Sequence, residues 1–175
     1  GSCSGPQSPH GPFDVPAKGS LVFYQGNASA LPTGDSGLPV GCAASALIEA
    51  SVPVAAVVNS TDLLGTITSA VLARPLDQGA TRHSLPVVRS RHTNLALSSL
   101  VQAHNPGPLA AQVTLRMKLW NGQEVTCPVA CIRTIPAGGA AQWDLAALVD
   151  VPENSYGSAW LSSDQPVHAS VLETS

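Results

Sequence analysis

Between Gln112 and Leu119 apolar and polar residues alternate without a break, in a run that Trp120 ends. Val113, Leu115, Met117 and Leu119 fall on one face, Thr114, Arg116 and Lys118 on the other. That period of two predicts a half-buried antiparallel strand. Asn121-Gly122 follows, a dipeptide that supplies the positive φ of a tight hairpin, so Gln123–Cys127 is expected to fold back. Upstream, Leu85–Arg89 reads as a short strand. Asn94–Ala103 reads as another, with Leu95, Leu97 and Val101 inward, and Asn105-Pro106-Gly107 as the turn after it. Downstream, Ser158–Ser162 and Pro166–Glu173 are apolar runs bounded by turn residues, with Asp164 as a turn former between them. The stretch from Ser84 to Ser175 therefore holds some seven short strands, for which a β-sandwich is the natural packing.

The pattern recurs. Val15-Pro16-Ala17-Lys18-Gly19 matches Ile135-Pro136-Ala137-Gly138-Gly139, and Phe23 matches Trp143, at an offset of 120. Ser45–Ile48 matches Ser158–Leu161, and Pro53–Val58 matches Pro166–Val171, at an offset of 113. The difference is extra length between about Gly26 and Ala43 in the first copy. Ser45–Glu49 and Pro53–Asn59 read as strands, as their counterparts do, but the earlier strands of the second copy have no match ahead of Val15. The chain opens on Gly rather than Met, as a processed chain or a fragment would.

The succession Leu85-Pro-Val-Val, Val101-Gln-Ala-His-Asn-Pro-Gly, Val113-Thr-Leu, Ile135-Pro-Ala-Gly-Gly and Gly157-Ser-Ala-Trp-Leu-Ser-Ser-Asp-Gln-Pro-Val resembles a tandem immunoglobulin-like β-sandwich repeat of bacterial extracellular and cell-surface proteins. The resemblance is full over Leu85–Leu172 and covers only the later strands over Val15–Asn59. It implies a surface or secreted structural module without enzymatic activity. The expected fold is all-β: two related immunoglobulin-like β-sandwich units, the first incomplete and completed by a partner strand or neighbouring subunit. The expected organisation is an N-terminal tail, 1–14; an incomplete unit, 15–62; a linker or complementing strand, 63–84; and a complete domain, 85–175. A few strands with one apolar face are not stable alone in water. Leu63–Leu72 folding back, the second unit, or another chain adding a strand would each cover that face.

Composition sharpens the picture. Charged residues are 11%, and Lys plus Arg number 8 for a net charge of −3, which excludes a basic nucleic-acid surface. Hydrophobic residues at 44% argue against disorder. The longest uncharged stretch, His92–Leu115, contains Asn105-Pro106-Gly107-Pro108 and is not a membrane span. Only Lys18 and Lys118 are available to protect strand edges, so self-association into a head-to-tail homopolymer is expected.

The cysteines are Cys3, Cys42, Cys127 and Cys131. An even count in a Pro- and Gly-rich chain suggests an oxidising, extracellular setting, with Cys127 closing on Cys131 and Cys3 left for Cys42. Four unpaired cysteines, or a zinc site, are the alternatives, though the spacing is long for zinc and no His adjoins the loop. Asn27-Ala-Ser29 and Asn59-Ser-Thr61 are glycosylation sequons. No catalytic, cofactor or metal site is expected. Gly34-Asp35-Ser36-Gly37 resembles a serine-protease nucleophile loop, but too little chain precedes it to carry the base, and these are turn residues. His10, His83, His92, His104 and His168 show no ligand spacing, and the carboxylates are scattered. Trp120, Trp143, Trp160, Tyr24 and Tyr156 would make a sugar-stacking platform if they came together; Trp120, on the polar face of its strand, is the one hint. The expected function is thus a structural subunit of an extracellular filament or surface assembly, joined by strand complementation. A secreted carbohydrate-binding or adhesion module without catalysis is the alternative.

Overall fold

The computed structural model describes residues 11–22, 46–61 and 67–174. The chain divides into two compact units, Gly1–Ala46 and Leu47–Ser175. Within the first, Pro16–Gly19 form a tight turn: Gly19 N donates to Pro16 O at 2.8 Å, and Lys18 takes a φ of 61°.

The second unit is all-β, with a single 3-10 turn at Leu76–Gln78 and no α-helix among the described residues. Its strands are β1 (Val57–Thr61), β2 (Ile67–Leu72), β3 (Ala80–Ser90), β4 (Ser98–His104), β5 (Ala111–Leu119), β6 (Glu124–Val125), β7 (Ile132–Ile135), β8 (Ala140–Asp144) and β9 (Ser155–Thr174). β1 and β2 form a two-stranded antiparallel ladder, from Val57 opposite Leu72 to Thr61 opposite Ile67. The other seven form one sheet in the order β6-β5-β9-β4-β8, with β3 on β9 and β7 on β5.

β9 has three neighbours because it is long and bent. Its first half lies between β3 and β5, and its second half pairs with β4. The bend falls where Arg82 faces Ser162 but Ala80 faces Val167, so β9 carries extra residues against β3. A bulge of this kind kinks a strand and raises its twist. Ser163 Oγ donates to Gln165 O at 2.6 Å, Asp164 Oδ1 accepts from Gln112 N at 2.8 Å, and Pro166 has no N–H to offer a ladder. The sheet therefore curls on itself and closes over Val101, Val113, Leu115, Trp143, Leu161 and Val167, all nearly inaccessible. The apolar parity of β5 survives intact in this core.

Three expectations are corrected. Of the strands expected at Ser45–Glu49 and Pro53–Asn59, residues 46–49 and 53–56 form none, and only Val57–Asn59 is strand, within β1. Ser158–Ser162 and Pro166–Glu173 are one bent strand, and Asp164 sits at its kink rather than in a turn between two strands. Asn94 and Leu95 lie outside β4, and Leu95 is exposed. Thr93 and Ala96 adopt positive φ there, closing a tight turn in which His92 and Leu97 exchange backbone hydrogen bonds.

β6 and β7 lie along the same edge of β5, at opposite ends. Between them the Cys127–Cys131 disulfide closes a short loop, Cα to Cα 5.3 Å, and Cys131 N donates back to Cys127 O at 3.1 Å. The edge is thereby broken by a covalent loop, which blocks continuous pairing with another chain at that position. Buried Asn105 joins two turns. Its Nδ2 donates to Leu109 O (2.7 Å), Ile135 O (3.1 Å) and Pro136 O (3.1 Å), and its Oδ1 accepts from Gly107 N (3.0 Å).

Candidate functional site

The repeat provides the first set of candidate positions. The Pro-Ala-x-Gly turns of the two copies have the same local geometry. In the second, Gly139 N donates to Pro136 O at 2.9 Å and Gly138 takes a φ of 67°. The first matches with 2.8 Å at Gly19 and 61° at Lys18. Both terminal glycines are required: a Cβ on Gly19 would meet Pro16 Cγ at 2.7 Å, and one on Gly139 would meet Pro136 Cγ at 2.8 Å.

The surroundings of the copies differ sharply. Ile135, Leu161 and Val167 are 0%, 1% and 0% exposed, while their counterparts Val15, Ile48 and Val54 are 48%, 54% and 55% exposed. Val171 packs against the core, and its counterpart Val58 is exposed. In the second copy these positions are covered because β3, β4 and β5 pair with β9, and β4 with β8. In the first copy residues 46–56 belong to no strand, although Ala56 O accepts from Ala73 N at 2.9 Å where the β1–β2 ladder ends, and among the described residues only β1 is paired, with β2. Tyr24 and Phe23, on which part of this comparison rests, lie outside the described residues.

The second candidate is the outer face of the β3–β9–β5 part of the sheet. Side chains directly opposite each other in an antiparallel pair share a face. Trp160 lies opposite Ser84 and Arg116, Ser158 opposite Lys118, and Ser162 opposite Arg82 and Thr114. Trp120 extends the register by one step, its N donating to Tyr156 O at 3.0 Å. The two rings are stacked, centroids 6.1 Å apart and planes within 10°. His92 adds a third ring 4.8 Å from Tyr156, tilted by 48°. Trp120 is 67% and Tyr156 41% exposed. A shallow, open cavity of about 350 Å³ runs along them, bordered by Pro86, Val87, Lys118 and Ser158. The close approach depends on Gly157, where a Cβ would lie 2.2 Å from Lys118 O.

Of the five aromatic candidates, then, Trp120 and Tyr156 are brought together. Trp160 is half-buried farther along the same face, Trp143 is in the core, and Tyr24 lies outside the described residues.

A family of unknown function, DUF5719, matches residues 12–175. The chain belongs to this family. The match takes in both copies of the repeat. No curated protein matches the chain. A solved structure, an Anabaena sensory rhodopsin transducer, is similar at 18% identity over 53% of this DUF5719 chain and 95% of its own length, with a TM-score of 0.44.

The histidines form a different kind of cluster. His104 on β4 lies opposite His168 on β9, ring centroids 6.2 Å apart and planes within 18°. His83 on β3 bonds through Nε2 to Val167 O at 2.8 Å and to Ala80 O at 3.1 Å. Burial, then repulsion by His168, holds the His104 imidazole below its ordinary range, against a hydrogen bond that the ring donates to the Gly138 backbone. Burial does the same to His168, reinforced by the charges of Arg74 and His83 and opposed by the Leu76 backbone. Among the described residues no group of three His, Cys, Asp or Glu side chains could hold a metal ion, and no helix is long and apolar enough to cross a membrane.

Of the other sites read from the sequence, Cys127 and Cys131 are bonded to each other, while Cys3 and Cys42 lie outside the described residues. Asn59 lies in β1 opposite Ala70, and Asn27 lies outside the described residues, as does the Asp35-Ser36 loop. Asn105 escaped the sequence reading: as a turn residue it looked ordinary, and two of its three carbonyl partners, Ile135 and Pro136, come from a distant segment.

Proposed function

We propose that this chain is a non-catalytic structural subunit of an extracellular filament or surface assembly. It is built from two related immunoglobulin-like β-sandwich units of the tandem kind found in bacterial surface proteins. The incomplete first unit takes strands from a second copy of the chain, head to tail. The observation that supports this is the exposure of Val15, Ile48 and Val54, whose repeat counterparts Ile135, Leu161 and Val167 are core.

Mechanistically, an extended segment from another chain pairs with the backbone of residues 46–56, and its alternate side chains cover the apolar positions. Main-chain hydrogen bonds supply affinity and the side-chain pockets supply register. A contact between unlike ends is heterologous and propagates. The Cys127–Cys131 bond fits an oxidising compartment. The scarcity of Lys fits a protein whose edges are meant to be paired.

The test is the solution mass of the chain under native conditions, with and without reductant, together with direct imaging. Growth in mass with concentration and a uniform fibre support the proposal. A monomer of unchanging mass over the whole range rejects it.

A further inference from the structure

We propose that the outer face of the β3–β9–β5 sheet binds an acidic polysaccharide. This site uses residues separate from the repeat positions invoked for assembly.

Three observations converge on that ligand. First, Trp120 and Tyr156 present nearly parallel, exposed rings that the core does not need, since the inward positions of β5 and β9 are filled by Leu119, Ala159 and Leu161. A pyranose ring has one face of C–H groups and an equatorial belt of hydroxyls. Its C–H face is attracted to the negative face of an aromatic ring, and stacking releases water from both. Second, the aromatic positions form a line. Trp160 follows Tyr156 by four residues on the same face, about 13 Å along the strand. One monosaccharide cannot span that distance, whereas a chain of sugars laid along β9 can. Ser158 lies between the rings with a hydroxyl for the sugar belt, beside the Lys118 ammonium.

Third, the charges flanking this line are positive. Arg82, Arg116 and Lys118 occupy outward positions on β3 and β5, three of only 8 Lys plus Arg in a chain of net charge −3. Glu124, opposite Lys118 on β6, is the carboxylate facing them across the ladder, and no ion pair joins the two among the described residues. Unpaired guanidinium and ammonium groups beside a stacking platform suit carboxylate- or sulfate-bearing sugars, which Arg holds through paired N–H donors. A protein partner fits less well. Binding hot spots are ringed by contacts that exclude water, whereas this shelf is open and bordered by Lys118, Gly122 and Ser158.

The experiment is calorimetric titration of the full chain with an oligogalacturonide hexamer and with dextran sulfate, cellohexaose serving as the neutral comparison. We expect binding of at least one acidic probe, weaker binding of cellohexaose, and an affinity for the acidic probe that falls with added salt. Trp120→Ala and Tyr156→Ala should each weaken it by roughly tenfold, equivalent to about 1.4 kcal/mol per ring. Trp120→Phe should restore most of the loss, and Arg116→Ala with Lys118→Ala should reduce the salt dependence. Thermal unfolding of each variant, measured alongside, separates loss of the site from loss of fold. Failure of both acidic probes, binding of cellohexaose as tight as theirs, or acidic binding unchanged in folded Trp120→Ala and Tyr156→Ala overturns the proposal. So does loss of self-association in Trp120→Ala, which would make the shelf a protein interface.

Discussion

The two copies of the repeat share a turn and a pattern of apolar positions, yet one copy is interior and the other surface. Ile135, Leu161 and Val167 are sealed under a curled sheet, while Val15, Ile48 and Val54 stand half or more exposed. The local turn geometry is preserved down to the positive φ at Gly138 and Lys18. Local chemistry therefore fixes the turns, and long-range pairing decides whether the same pattern becomes a core. An apolar stripe needs partner strands as much as it needs its own alternation.

The largest expected effect breaks that contrast directly. Leu161→Ala should destabilise the second unit by about 2–5 kcal/mol, because it removes a buried side chain and leaves a cavity. Ile48→Ala, at the equivalent exposed position, should change the unfolding free energy of the monomeric chain by no more than about 0.5 kcal/mol. If the exposed copy is a docking surface, Ile48→Ala should still weaken self-association. Equal losses from the two substitutions in dilute monomer would erase the distinction.

Next comes Asn105→Ala. The second copy's Pro136 turn is tied to the β4–β5 turn by one amide that satisfies three carbonyls. Removing it should cost about 3 kcal/mol, through acceptors left unpaired in a buried site, and chemical denaturation will read the loss. Smaller still is the disulfide. Replacing Cys127 and Cys131 together by Ala opens a short loop and should cost about 2 kcal/mol on loop-closure entropy, seen as a modest fall in melting temperature.

Acid should act on the second copy alone, since Ala55 stands where that copy has His168. The folded-state values of His104 and His168 lie below their ordinary range, chiefly through burial. A group depressed in this way binds more protons when unfolded, so stability rises with pH through the window between the folded value and about 6.5. The melting temperature should accordingly fall as pH drops below about 6.5, and His168→Ala should flatten that dependence while removing the repulsion at His104.

The all-β character was legible from alternation alone, most clearly in β5, where parity assigned every inward residue correctly. The bent β9 was not legible. Ser163-Asp164-Gln165-Pro166 carries the composition of a turn, and only the register against β3 reveals a bulge within a continuous strand. Leu95 misled for a related reason: its apolar side chain fitted the alternation, but positive φ at Thr93 and Ala96 places it in a turn. At the aromatic shelf, Trp120 announced itself by its polar-face parity. Tyr156 did not, because its place beside Trp120 follows from the β5–β9 register and from the backbone contact that Gly157 permits. Neighbours along a strand can be read from sequence, whereas neighbours across strands require the pairing.

The sharpest measurement is amide hydrogen exchange, resolved by segment, across a range of protein concentrations. Amides of residues 46–56 should exchange freely in dilute solution while those of 157–163 are protected, and the first set should gain protection as concentration rises. Protection of residues 46–56 in dilute, monomeric chain, equal to that of 157–163, would show that the first copy is completed from within and would contradict the account.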